Sequence, residues 1–144
     1  MKPVTKTILV GTLILAGAAF AKEGVQDSTV KARMDLMGVI AANTKVLGEM
    51  AGGKATFTAE AAATAKANLA AAAAEVPAKF EPQATDPLSD ARPEVWTNWA
   101  DFVTKSEALL TQAEALDTTS LESVQAGMAG IGGACKACHS VYMN

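Results

Sequence analysis

Apolar residues recur at spacings of three and four over most of the chain, and no stretch shows the strict alternation of a half-buried strand. Four helical segments follow from that period and from its breakers. The first is predicted from about Asp27 to Ala51, with Val30, Met34, Met37, Ala41, Thr44 and Leu47 on one face and "GGK" at 52–54 as its stop. The second is predicted from about Thr58 to Glu75, with Pro77 marking its end. It is nearly all alanine, so its stripe of Ala62, Ala65, Leu69 and Ala72 is shallow and permits close approach of another helix, within a bundle or between subunits. The loop that follows, "PAKFEPQATDPLSDARP", is long for a connection between bundled helices, and is expected to cover something. The third helix is predicted from Pro93, a residue suited to a first turn. Its apolar face is Trp96, Trp99, Phe102, Val103, Leu109, Leu110, Ala113 and Leu116.

The fourth helix is predicted from Thr119, with Glu122 three residues on as a capping box. Its seam is Leu121, Val124, Met128, Ile131, Cys135, Cys138 and Tyr142, which puts both cysteines on the core face. Glycines 127, 130, 132 and 133 weaken this helix by about 1 kcal/mol each against alanine. A bulky group packed against bare backbone is the expected compensation.

The start of the chain breaks the pattern. "MKPVTK" is basic, "TILVGTLILAGAAF" is an apolar run of fourteen, and Ala19-Phe20-Ala21 is a small-x-small cleavage site. That is the layout of a secretory signal peptide over 1–21. The run is short for a membrane span of about 20 residues. The product is then one domain, 22–144, expected in the bacterial periplasm with no membrane attachment after cleavage. Without Lys2 and Lys6, ten basic side chains face fifteen acidic ones, a net charge of −5. An acidic balance argues against nucleic acid and against anionic membrane surfaces, both of which favour basic patches. Alanine is abundant and aromatics are scarce, which favours helices over strands. No internal repeat is visible.

The chain's two cysteines and its single histidine all fall in "CKACH" near its end. A disulfide between Cys135 and Cys138 suits an oxidising compartment, although redox pairs of this spacing usually open a helix beside a βαβ pattern. A zinc site requires four ligands, and only three of the right type are present. Covalent attachment of haem c fits best. Thiols three residues apart lie on one helix face, within reach of both vinyl groups of a porphyrin, and His139 follows to ligate iron. Since no other histidine exists, a second axial ligand would be a methionine, an unusual group, water or nothing. Met143 lies one turn beyond His139, on its own side of the ring. Met128 is eleven residues earlier on the same helix, about 16 Å away at 1.5 Å per residue. Met34, Met37 and Met50 of the first helix remain, and Met37 stands either as ligand or as plain core.

At this point the residues resemble a family. "VKARMDLMGVIAANTKVLGEM" in helix one, the phenylalanine of "PAKF", "ARPEVWTNWADF" opening helix three and "CKACHSVY" in helix four together resemble the class II c-type cytochromes, the cytochrome c-prime group. The resemblance covers 22–144 and implies an all-α, antiparallel up-down-up-down four-helix bundle with one covalently bound haem c per chain. It implies that Cys135 and Cys138 carry the thioethers and that His139 is the proximal ligand. It places Arg33 near a haem propionate, Met37 on the distal side of the iron, and Asp90 and Trp96 around the haem edge. Two positions depart from the family pattern. Met143 stands where a basic residue often follows the histidine, and Met34 replaces a glutamine after the helix-one arginine. Both put a five-coordinate gas pocket in doubt.

The leading expectation is therefore a periplasmic electron-transfer protein with His139 and Met37 as axial ligands, serving periplasmic redox partner proteins. The alternative is a high-spin, five-coordinate site that binds nitric oxide or carbon monoxide. No distal base suited to cleaving an O–O bond is visible, so no enzymatic activity is expected. The resemblance and the alanine faces of the first two helices allow a homodimer.

Overall fold

A computed structural model describes residues 22–144; the expected signal peptide, 1–21, lies outside the described residues. Helix α1, Ser28–Ala51, starts where the Asp27 carboxylate accepts the Val30 N–H at 2.8 Å, and it ends at Gly52 and Gly53, the latter at φ +70°. Its buried residues are Val30, Arg33, Leu36, Ile40, Leu47 and Met50. The core face is thus turned from the predicted one, and Met34, Met37 and Thr44 are only partly buried. Two cavities flank α1, and these side chains line them.

Helix α2, Ala59–Ala74, is capped by Thr58, whose Oγ1 accepts from Ala61 N at 3.2 Å. It buries Ala62, Ala65, Leu69, Ala72 and Ala73. Pro77 does not simply stop it. The chain turns after Ala74 and Pro77 sits in the first turn of a short helix, α3, Val76–Phe80, where its missing N–H costs nothing. The predicted third helix is also divided, into α4, Glu94–Thr97, and α5, Trp99–Ala115. Asn98 (φ −124°, ψ 46°) breaks it, because its side chain donates to the Tyr142 hydroxyl at 3.1 Å and its carbonyl accepts the first bond of α5, from Phe102 N at 3.1 Å.

Helix α6, Leu121–Tyr142, is capped one residue later than predicted. Ser120, not Thr119, is the cap: its Oγ accepts from Ser123 N at 3.1 Å, while Thr119 N is held by Asp117 Oδ1 at 2.9 Å. At two of the four α6 glycines the bulky groups packed against bare backbone are side chains from the α5 segment. A Cβ on Gly127 would overlap Leu116 Cδ1, and one on Gly130 would overlap the Gln112 amide, so these two glycines let α5 approach. Gly132 and Gly133 face open space. None of the four lines either of the two cavities beside α1, whereas Gly38 and Gly48 of α1 do.

The long helices form a closed ring of neighbours, α1 on α2, α2 on α5, α5 on α6 and α6 on α1, in an up-down-up-down four-helix bundle. At one end Phe102 is the hub of an aromatic cluster, with Phe80, Trp99 and Tyr142 ring centroids 5.1, 5.4 and 5.3 Å away. The long loop closes this end. Asp86 accepts the backbone N–H groups of Gln26 at 2.9 Å and Asp27 at 3.2 Å, and Arg92 N donates to Tyr142 O at 2.9 Å. Ala91 and Met143 form an antiparallel bridge, and Asn144 N donates to Asp90 O at 2.9 Å. The residues after His139 therefore clamp the loop to the last helix.

Candidate haem-binding site

Two adjoining cavities of about 340 and 480 Å³ open between α1 and α6, each within the size range of small-molecule sites. Met37, Ala41, Val76, Cys138 and His139 line both. The first extends under the long loop, past Arg33, Met34, Phe80, Ser89, Asp90 and Ala91. The second runs along α5 and α6, past Thr44, Gly48, Lys105, Ser106, Leu109, Met128 and Cys135. The loop thus covers one end of a cavity, as its length suggested.

Cys135 and Cys138 are free thiols, half-buried on one face of α6, and burial raises the pKa of both. Beside Cys138 that rise is opposed by Lys105 and reinforced by Cys135 and Asp101. His139 follows on α6 and its carbonyl accepts the Met143 N–H at 3.1 Å. Met37 faces the same space from α1.

Arg33 is 1% exposed. Its guanidinium lies 5.0 Å from the Trp96 ring centroid and 5.6 Å from that of Phe80. Nη2 donates to Ala84 O at 2.7 Å, but Nε and Nη1 have no partner. Desolvation lowers the pKa of this group, and Asp27 partly offsets it. Orphaned buried donors carry a free-energy cost, and these belong to a cation that lines the first cavity. A carboxylate bound there would answer them.

The predicted residues are brought together unequally. Cys135, Cys138, His139, Met37, Met34, Arg33 and Asp90 all line one cavity or both. Asp90 is exposed and pairs with Lys22 at 2.7 Å. Trp96 lines neither cavity; it stands behind Arg33, with Nε1 donating to Phe80 O at 2.8 Å. Sequence reasoning missed Lys105, Tyr142, Gly38 and Gly48. Two of these had a readable signal: Lys105 in the Asp101–Lys105 spacing of four that makes an ion pair on a helix, and Tyr142 in the seam it shares with both cysteines.

Two thiols, one imidazole and a thioether sulfur around an apolar space, with an unanswered guanidinium at one end, form a donor set that fits a haem and its propionates. The bundle and this site define a haem-carrying helical protein. The family profile described as Cytochrome C' matches residues 28–143, and the chain belongs to that family. It is 34% identical over 122 residues to cytochrome c-556 of Agrobacterium tumefaciens (strain apple 185), covering 79% of this chain and 93% of that one. It is 31% identical to cytochrome c-554 of Cereibacter sphaeroides, covering 99% and 97%. Among solved structures, a nitric oxide complex of a cytochrome c prime variant from Alcaligenes xylosoxidans superposes with a TM-score of 0.71 at 27% identity, covering 81% of this chain and 94% of that one. Haem c is the cofactor, and the chain's two cysteines are consistent with its two thioether links. The protein is a haem protein of the electron-transferring and gas-binding cytochrome c prime class.

Proposed function

We propose that this cytochrome is a periplasmic electron carrier, exported by a signal peptide over 1–21, in which Cys135 and Cys138 hold the haem, His139 is one axial ligand and Met37 the other. When bound, haem c supplies a one-electron ferric–ferrous couple whose potential a methionine ligand raises. Met37 carries the reading. Among the described methionines it alone lines both cavities, as His139 does. Met34 and Met143 line only the first, Met128 only the second, and Met50 neither. A thioether on α1 and an imidazole on α6 thus share one space from two different helices. Arg33 would neutralise the propionates, and Asp90 with Lys22 would border them on the solvent side. The carrier's counterparts would be periplasmic redox proteins.

A second reading, a five-coordinate site for nitric oxide or carbon monoxide, draws support from the relative solved with nitric oxide and from the small neighbours of Met37, Gly38 and Ala41, on the same wall. Absorption spectra of the purified holoprotein separate the two. The expected result is a low-spin spectrum, with the weak long-wavelength band of sulfur-ligated ferric haem and little carbon monoxide uptake. Met37→Ala should convert it to a high-spin, carbon monoxide-binding form. A wild-type protein already high-spin and binding carbon monoxide would sink Met37 ligation and leave the second reading.

A further inference from the structure

The ionisable groups lining the second cavity are Lys45, Lys105, His139 and the two thiols, and no carboxylate is among them. The two lysines are held differently. Lys45 keeps 73% of its side chain exposed and meets Glu49 at 3.7 Å, so solvent and salt screen its charge. Lys105 is 27% exposed, and its Nζ donates to Asp101 Oδ1 at 3.2 Å. Asp101 lines neither cavity. Its other oxygen accepts the Tyr142 hydroxyl at 2.6 Å, and that hydroxyl accepts from Asn98 Nδ2 at 3.1 Å. Tyr142 is buried and stands three residues after His139 on α6. The Lys105–Asp101 pair is thereby a held dipole, and of its two residues only the lysine lines the cavity. Against an apolar wall a fixed charge acts through a lower effective dielectric than it would in solvent.

We propose that the Lys105 ammonium, locked by Asp101 and Tyr142, is a positioned cation that raises the reduction potential of the haem held by Cys135, Cys138 and His139. The sign follows from charge: reduction adds one electron, and a nearby cation stabilises the electron-richer state. The inference rests on the assignment of those three residues to the haem and is independent of Met37. Its rival is an ordinary helix-surface ion pair with no influence on the cofactor.

Spectroelectrochemical titration of the holoprotein tests it. At a fixed electrode potential, Lys105→Gln and Lys105→Met should each lower the reduced-to-oxidised ratio by roughly fivefold, the scale of a partly screened unit charge at an effective dielectric of about 20. Lys105→Arg should restore the wild-type ratio, and Lys45→Gln should leave it nearly unchanged. Unchanged ratios in both neutral Lys105 variants overturn the proposal. So does an equal fall in Lys45→Gln, or a fall accompanied by an altered spectrum, which would mean changed ligation instead of a changed field. A wild-type protein whose haem is released by acid–acetone extraction would instead overturn the thioether assignment, so the two failures are told apart.

Discussion

Arg33 is the least expected residue of the core. A guanidinium 1% exposed, with two of its nitrogens unpartnered, stands at the mouth of an apolar space and between two aromatic rings. With a propionate against Arg33, as proposed, truncating the arginine would leave a buried charge unpaired, a loss of about 3 kcal/mol. Arg33→Met should therefore destabilise the holoprotein by that order, read as a lower denaturant midpoint with an unchanged slope. An equally stable variant would mean that no anion sits against Arg33. The helix-one arginine was legible from the sequence by resemblance. That it is buried, and that Trp96 serves it from behind rather than lining the cavity, was not. Those facts depend on α1 turning Arg33 and not Met34 into the core.

At the scale of elements, α6 shows why a glycine count is ambiguous. Four glycines in one helix suggested clearance for a large group, yet Gly127 and Gly130 make room for Leu116 and Gln112 of the adjoining α5 segment. Leu116 is 3% exposed and cannot withdraw cheaply. Gly127→Ala should thus cost about 1–3 kcal/mol through overpacking, despite alanine's better helix propensity. Gly133→Ala meets nothing and should stabilise by about 1 kcal/mol. Thermal unfolding of both variants checks the pair; a destabilised Gly133→Ala would return that glycine to the haem site. The helix limits were legible at Asp27 and Thr58, where a side-chain cap marks them, and one residue off at Ser120. They were misread where the third helix is interrupted, because the partner that breaks it at Asn98 is Tyr142, 44 residues away.

On the scale of the whole molecule, one end is tied together by polar groups from three parts of the chain. Three backbone N–H groups hold the Asp86 carboxyl below the usual range, chiefly that of Leu88, then Gln26 and Asp27. A depressed carboxyl stabilises the fold above its unfolded value, and this contribution fades as pH falls through the lower folded one. At the alkaline side the sign reverses. Burial and then the bond to Asp101 push the Tyr142 phenol up to about 12. Its contribution is complete below the unfolded value near 10 and is lost as pH rises from there to about 12. Melting temperature against pH should accordingly fall in acid and above pH 10. Asp86→Asn should flatten the acid arm and Tyr142→Phe the alkaline arm, and an alkaline arm unchanged in Tyr142→Phe would contradict the phenol's role.

The sequence by itself determined the helical class, the position of the four long helices and the chemistry carried by "CKACH". Helical period, capping side chains and the spacing of two thiols and an imidazole are local properties, readable within a few turns. Only the tertiary structure decided which face of α1 is core and which lines the cavities, and that Met37 alone of the described methionines shares both with His139. It also decided that Lys105 meets the site and that the final residues clamp the loop over it. Each of these is a relation between helices distant in sequence, set by how the bundle rotates them against one another, and no pattern within a single helix encodes that rotation.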